Sequence, residues 1–307
     1  MVAGIPWSTD GPTTVCAWCA APLTEAGLRR WGRTVCPGCG VATTDPWPDE
    51  AALAEAYGGA YRPAGGRFSG PGDAVLGLTR ATLARRLDRI APEGPVLDVG
   101  AGSGSLVAAL RRRGREAVGL EREARGEHIR DVPLAELDGG WAGIVLWHSL
   151  EHLTDPGAEL DRAIDRLAPG GVLVVAIPNA GSLQARLFGD RWLALDLPRH
   201  LAHIPGPALV GRLADRGLAI ERVSHWRGGQ VVFGWLHGLV GLAPGGPSLY
   251  DAVRRPEARW EDQSPGRRRA ILVGALALAP VAGLGAAVEI GLGRGGTIYV
   301  EARRGRG

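Results

Sequence analysis

The sequence contains no lysine, so its 35 strongly basic side chains are all arginine. They are interspersed with 32 acidic residues, which leaves a net charge of +3. A balance so evenly mixed reads as compositional habit and argues against a nucleic-acid partner. The first 15 residues carry Pro, Asp, Gly and Thr and no apolar run. No secretory signal is therefore visible, and a cytoplasmic setting is expected. No cysteine follows residue 39, so the body of the chain has no disulfide framework. What is present is enough for a core: 307 residues, 45% of them hydrophobic, with ten Trp, describe a globular chain with one sizeable core and an appendage.

The four cysteines form a C-x2-C-x16-C-x2-C array, Cys16-Ala-Trp-Cys19 and Cys36-Pro-Gly-Cys39. Each pair presents two thiolates to one side, and two such hairpins complete a tetrahedron, so a zinc ribbon with Cys16, Cys19, Cys36 and Cys39 as ligands is expected. Four protein ligands close the site, which makes the metal structural and couples folding of the module to it. Two disulfides, or unligated thiols, are the alternatives.

The stretch 95–110 reads as a buried strand (Val96 to Val99), a glycine turn and the start of a helix with Leu106, Val107 and Leu110 inward. Gly100, Gly102 and Gly104 let a ligand lie against the amides of the turn. Their G-x-G-x-G spacing differs from the dinucleotide fingerprint, and Asp98 stands two residues before the first glycine. A carboxylate there suits a cation better than a pyrophosphate. S-adenosylmethionine (SAM) carries a sulfonium and an ammonium and no phosphate. About 20 residues on, Glu121 ends the apolar strand Glu116 to Glu121, where an acid meets ribose hydroxyls in doubly wound folds. Then come the strand Gly143 to His148, the turn Ser149 to Pro156, a helix over 157–167, Pro169-Gly170-Gly171, and a strand Val172 to Ile177 that leads into Pro178-Asn179.

These pieces, in this order, resemble the class I SAM-dependent methyltransferases, and the resemblance covers about residues 50–305. It implies an α/β fold with a doubly wound, mostly parallel seven-stranded sheet, here behind a small N-terminal zinc ribbon. It also implies a cofactor set of Asp98, Gly100, Gly102, Gly104, Glu121 and Trp147. Family members end their third strand on an acid near the adenine, and Asp131 is the best match in the short 123–137 segment. Without a ligand, a glycine triplet can also be nothing more than a tight strand-to-helix turn.

The expected organisation is a ribbon module over 1–44, a connector or lid over 45–75 and a methyltransferase domain over 76–307 with an apolar insertion at 227–296. The connector holds a helical patch from Asp49 to Tyr57, and Tyr57 and Tyr61 are lid candidates or simple packing residues. A helix over 74–90 presents Val75, Leu76, Leu78, Leu83, Leu87 and Ile90 inward.

Methyl transfer needs positioning first, and a base only where the acceptor is protonated. Two histidine sets offer one. His148, Glu151 and His152 share a face if a helix starts at His148. Their positions resemble those where quinone-pathway O-methyltransferases place Glu, Glu and His and can hold a divalent metal, with His148 replacing the first Glu. Glu151 and His152 can equally be a capping and packing pair. The second set, His200 and His203 in Pro198-Arg-His-Leu-Ala-His203, resembles the segment that folds over the acceptor in that family, and His200 is favoured as the base.

Helix 206–216, strand 218–223 and strand 297–302 resemble the last unit of the fold, yet about 70 residues separate the two strands. The apolar stretches 231–242 and 270–292 lie in this insertion. A single membrane crossing would put neighbouring strands on opposite faces of a bilayer, which leaves a soluble cap or a peripheral contact at the inner face of a membrane. The sequence thus reads as a SAM-dependent methyltransferase acting on O or C of a small or lipid-linked acceptor. A sugar-nucleotide C-methyltransferase, an RNA base methyltransferase and a non-catalytic SAM-binding docking protein are the rivals. The segment Trp147-His-Ser-Leu lacks the Asn/Asp-Pro-Pro-aromatic pattern of amide and adenine N-methylation.

Overall fold

A computed structural model describes residues 13–23, 27–58, 72–123, 126–226, 229–259 and 263–306, the side chains of 72–76 and Ala258 excepted. Tyr61, Val75 and Leu76 fall outside what is described.

In chain order the chain opens with strands β1 (Leu28–Arg29), β2 (Arg33–Val35) and β3 (Ala42–Thr44), then helices α1 (Glu50–Ala56) and α2 (Gly72–Ile90). Next come β4 (Val96–Val99), α3 (Ser105–Arg111), β5 (Ala117–Leu120), β6 (Ile129–Arg130), β7 (Trp141–Trp147), α4 (Pro156–Asp165) and β8 (Leu167–Pro178). The remainder is α5 (Leu183–Phe188), β9 (Ala202–His203), α6 (Gly206–Asp215), β10 (Ala219–Ser224), α7 (Gly229–Gly241), α8 (Leu249–Val253), α9 (Pro265–Gly291) and β11 (Thr297–Arg303). Two compact units result, one of residues 70–177, 209–225 and 298–307 and one of residues 1–69, 178–208 and 226–297.

The first, the sheet unit, is built on a seven-stranded sheet of order β10-β11-β8-β7-β4-β5-β6. β4 runs parallel to both β5 and β7, β5 to β6 and β7 to β8, while β10 and β11 pair antiparallel. Strands covered on both faces need no polar alternation, which is why β5 and the central part of β8 read as unbroken apolar runs and β4 is interrupted only by Asp98. Leu83, Ala84 and Leu87 of α2 share one core cluster with Leu106, Val107 and Leu110 of α3. Leu78, expected inward, is exposed. Glu301 of β11 is fully buried and is held by Arg86 of α2 at 2.7 and 2.9 Å and by the Tyr299 hydroxyl at 2.6 Å. α4 starts where Asp155 accepts from the Ala158 N–H and Pro156 takes the first helical position. No helix occurs among the described residues between Glu121 and Ile129.

The second, the ribbon unit, has a four-stranded sheet, β1-β2-β3-β9, with Ala42 opposite His203. Chain from far beyond the ribbon therefore completes the ribbon's own sheet. Its helical part packs α5, α7 and α9 around Phe188, Trp192, Val231, Trp235, Ala282 and Ala286. Glycines set the approach: a Cβ at Gly238 would lie 2.2 Å from the Phe188 ring, and one at Gly285 would lie 2.7 Å from the Trp235 indole.

Candidate cofactor site and cysteine centre

The cofactor-side residues of the sequence reading lie at or just beyond the C-terminal ends of parallel strands: Asp98 and Trp147 on β4 and β7, the glycine turn, Glu121 and Asp131 after β4, β5 and β6. From β4 the chain steps outward to β5 and β6, then returns to add β7 on the other side of β4, so the order reverses between β4 and β7. Ligands of open α/β sheets bind at that reversal. Gly100, Gly102 and Gly104 have φ of 78°, 60° and 71°. At Gly100 the demand for glycine is double, since a Cβ there would also sit 2.4 Å from the Ser149 Cβ. The amides of Gly100 and Ala101 both donate to the Leu120 carbonyl at 2.8 and 2.9 Å, which ties the turn to the end of β5. The Gly102 N–H donates to the Glu121 carboxylate at 2.7 Å.

Asp98 sits on β4 between Gly119 of β5 and Val145 of β7. It is buried, and desolvation pushes its carboxyl up to about 7; Arg80 draws it down and Glu121 raises it. A carboxylate whose charge is poorly solvated by its surroundings fits a ligand that brings positive charge. Arg80, on α2, lies with its guanidinium 4.9 Å from the centre of the Trp147 ring, and Trp147 in turn meets Tyr299 edge-on at 6.4 Å. The sequence reading missed Arg80. Its signal was the position: it falls on the α2 face of Leu83, Ala84 and Leu87, where an apolar residue would ordinarily stand.

Asp131 follows β6 and is exposed, its carboxylate accepting from the Glu123 N–H at 2.9 Å. His148 closes β7 with φ of 53°, and a short 3-10 turn, Leu150–His152, follows before α4 begins. The condition for a shared helix face of His148, Glu151 and His152, a helix starting at His148, is not met, because the backbone at His148 is left-handed and the turn is too short. His148 Nδ1 and the buried Glu151 carboxylate still lie 3.3 Å apart. Among the described residues His148 joins no group of three metal-ligating side chains within 4.8 Å.

His200 and His203 belong to the ribbon unit, and both are buried. The His200 Nδ1 lies 2.8 Å from the Ala194 carbonyl and its Nε2 3.6 Å from Asp196. His203 is a strand residue whose Nε2 lies 2.9 Å from the Leu195 carbonyl. Burial, with Arg33 nearby, pushes its imidazole down to about 3, so it stays neutral and is a poor base at neutral pH.

None of the four cysteines is in a disulfide. Cys16 and Cys39 lie 3.6 Å apart and Cys19 and Cys36 3.7 Å apart, all four sulfurs falling within 4.8 Å of one another. A tetrahedron with Zn–S bonds of about 2.3 Å has edges of roughly 3.8 Å, so the cluster fits that ion. The two knuckles repeat each other. Ala20 and Gly40, both left-handed, donate to the Cys16 and Cys36 carbonyls at 3.0 and 2.9 Å. Cys16 is lowered to about 5 by its hydrogen bond with Cys39, whose own thiol is raised in consequence.

A methyltransferase domain family matches residues 76–223, and together with the sheet order and the glycine turn this places the chain in the SAM-dependent methyltransferase family. Within that family the chain is 30% identical over 172 residues to the ubiquinone biosynthesis O-methyltransferase of Xylella fastidiosa, covering 46% of this chain and 70% of that protein. The enzyme of the same name from Psychrobacter arcticus is 32% identical over 142 residues, 40% of this chain and 49% of that one. The chain thus spans about half the length of the Psychrobacter relatives it matches. A solved SAM-dependent methyltransferase from Archaeoglobus fulgidus superposes with a TM-score of 0.47 at 18% identity, covering 74% of this chain and 93% of that one.

Proposed function

We propose that the chain transfers a methyl group from SAM to an oxygen of a small or lipid-linked acceptor, with phenols as the first class to test. The observation that carries this reading is the buried Asp98 beside a turn of three left-handed glycines, with Glu121 joined to that turn. Oxygen is preferred to carbon because the relatives above are named as O-methyltransferases.

When bound, the cofactor supplies a methyl group made electrophilic by the sulfonium. The chain's part is to hold and orient it. Asp98 receives the ammonium, Arg80 the carboxylate of the amino-acid end, Glu121 the ribose hydroxyls and Asp131 the adenine, while Trp147 lines the site. A phenol acceptor must lose its proton. His200 is the proposed base, its ring oriented by the Ala194 carbonyl, with Asp196 stabilising the imidazolium formed as the proton is taken. His148, Glu151 and His152 form the cofactor-side polar group; a divalent metal there would be held by Glu151 and His152, with His148 orienting Glu151. Zinc at Cys16, Cys19, Cys36 and Cys39 is structural, and the enzyme acts in the cytoplasm.

The test is incubation of the zinc-loaded chain with methyl-labelled SAM and paired phenols, one water-soluble and one prenylated. Label in the phenol ether supports the proposal, and His200→Ala should lose most of it while retaining cofactor binding. A folded, cofactor-binding chain that labels neither phenol overturns the acceptor class.

A further inference from the structure

In α9 the distribution of side-chain size is inverted. The buried positions are mostly small, Ala275, Ala282 and Ala286 among them, with Ile271 at one end and Glu289 at the other. The exposed positions carry the bulk: Leu272, Val273, Leu276, Val281, Leu284 and Val288, with Leu276 at 77% and Leu284 at 68% exposure. A helix that packs only against its own protein turns its large apolar residues inward. Here the inward face is held by another means. Glu289 accepts from the Gln184 backbone and side-chain N–H groups and from the Trp235 indole, each at 2.9 Å. That leaves a ridge along a helix of 27 residues, about 40 Å long, and contiguous exposed apolar surface on that scale marks an interaction site.

The charges at the ridge identify its occupant. The exposed Arg267 and Arg269 stand at the N-terminal end of α9, Arg268 between them being turned to the Ala252 carbonyl, the exposed Arg294 stands just beyond its C-terminal end, and the outward face carries no carboxylate. Apolar bulk bracketed by arginines is complementary to acyl chains beneath anionic headgroups. Spanning is excluded by connectivity. The insertion leaves from β10 and returns to β11, whose residues Ser224 and Tyr299 are paired neighbours, so one crossing would require a second. The other apolar helix, α7, has 13 residues and reaches about 20 Å, short of the roughly 30 Å hydrocarbon core. α7 also has Val231, Trp235 and Val240 buried, so of the two apolar stretches it is α9 that presents a face.

We propose that the outer face of α9 docks in the plane of an anionic lipid bilayer, its large apolar residues in the acyl boundary and its terminal arginines among the headgroups. The inner face of α9 packs on Trp235 of α7, and Glu289 ties it to Gln184 of α5, in the same unit as Pro198 to His203, the segment that the family resemblance places over the acceptor, so docking would hold that unit at the lipid surface. This last consequence rests on the acceptor reading above; the docking itself does not.

The test is co-sedimentation of the full-length, zinc-loaded chain with vesicles of phosphatidylcholine alone and of phosphatidylcholine with phosphatidylglycerol. Binding should be strong to the anionic vesicles and weak to the neutral ones. Leu276→Glu with Leu284→Glu, both on the exposed face, should weaken it by about tenfold or more. Arg267→Gln with Arg269→Gln should weaken the anionic component by about tenfold. Melting temperature and S-adenosylhomocysteine affinity should be unchanged in all variants. Three results would overturn the proposal: wild type that sediments with neither vesicle, glutamate variants that bind as wild type, or concentration-dependent self-association abolished by the same substitutions without any lipid binding. Absent cofactor affinity in a lipid-binding chain would strike the methyltransferase reading alone.

Discussion

The Glu121 carboxylate accepts a hydrogen bond from the backbone N–H of Gly102 at 2.7 Å, so the acid beyond β5 and the glycine turn beyond β4 are joined. One oxygen positions the turn, and the carboxylate is thereby fixed where it can also accept from a ribose. Glu121→Ala removes both roles. A hydrogen bond to a charged group contributes about 1.5–3 kcal/mol, so S-adenosylhomocysteine affinity should fall by about 10- to 100-fold, measured by calorimetry on protein whose melting is checked in parallel. Unchanged affinity would remove Glu121 from the site.

Gly100 is required by its backbone and by Ser149 together. Gly100→Ala should destabilise the chain by about 2–4 kcal/mol, combining left-handed strain with overpacking. Adding Ser149→Gly should restore the overpacking part and leave the strain, a split that urea denaturation of the single and double variants would show. If the double variant is no more stable than Gly100→Ala alone, the Ser149 contact is not what excludes a side chain.

Asp98 gives the site a pH dependence. Its folded pKa of about 7 lies above the ordinary 3.8, so the folded chain holds the proton more tightly than the unfolded chain does. The stability this contributes is complete below about 3.8 and is lost as pH rises through about 7. Cofactor binding runs the other way, because an ammonium needs the ionised form. Affinity for S-adenosylhomocysteine should improve about tenfold per pH unit up to about 7 and level off above it. Asp98→Asn should flatten the slope; a slope of the same size in that variant would assign it to another group.

Metal content tests the cysteine centre. The purified chain should carry one zinc per molecule, and removal by a chelator, or Cys36→Ser, should abolish the ribbon's melting transition. Elemental analysis with calorimetric melting decides it: a metal-free chain with an unaltered transition would show thiols packed without an ion.

What could be read in the sequence follows from which interactions are local. β4, β5, β7 and β8 were legible because burial on both faces leaves apolar runs, whereas the two-residue, half-exposed β6 leaves none; the glycine turn was legible because left-handed backbone selects glycine at fixed spacing. The cysteine cluster was legible because two knuckles carry their own turn chemistry. Arg80 was missed because its role depends on Trp147, which lies on β7 far along the chain. The turn at Ser149 to Pro156 was legible, but the left-handed backbone at His148, which separates His148 from any helix face shared with Glu151 and His152, is not something i, i+3 and i+4 spacing reveals. Pairing of His203 with Ala42 joins segments about 160 residues apart, beyond any local pattern. Glu289 reads as a flaw in an apolar stretch, yet it is the acceptor that fixes the inward face of α9.

The most direct test of the central claim is calorimetric titration of the zinc-loaded chain with S-adenosylhomocysteine, alongside Asp98→Ala. The site described here predicts micromolar, one-to-one binding by the wild-type chain and none by the folded variant. Binding that Asp98→Ala leaves intact, or no binding by well-folded wild type, would contradict it.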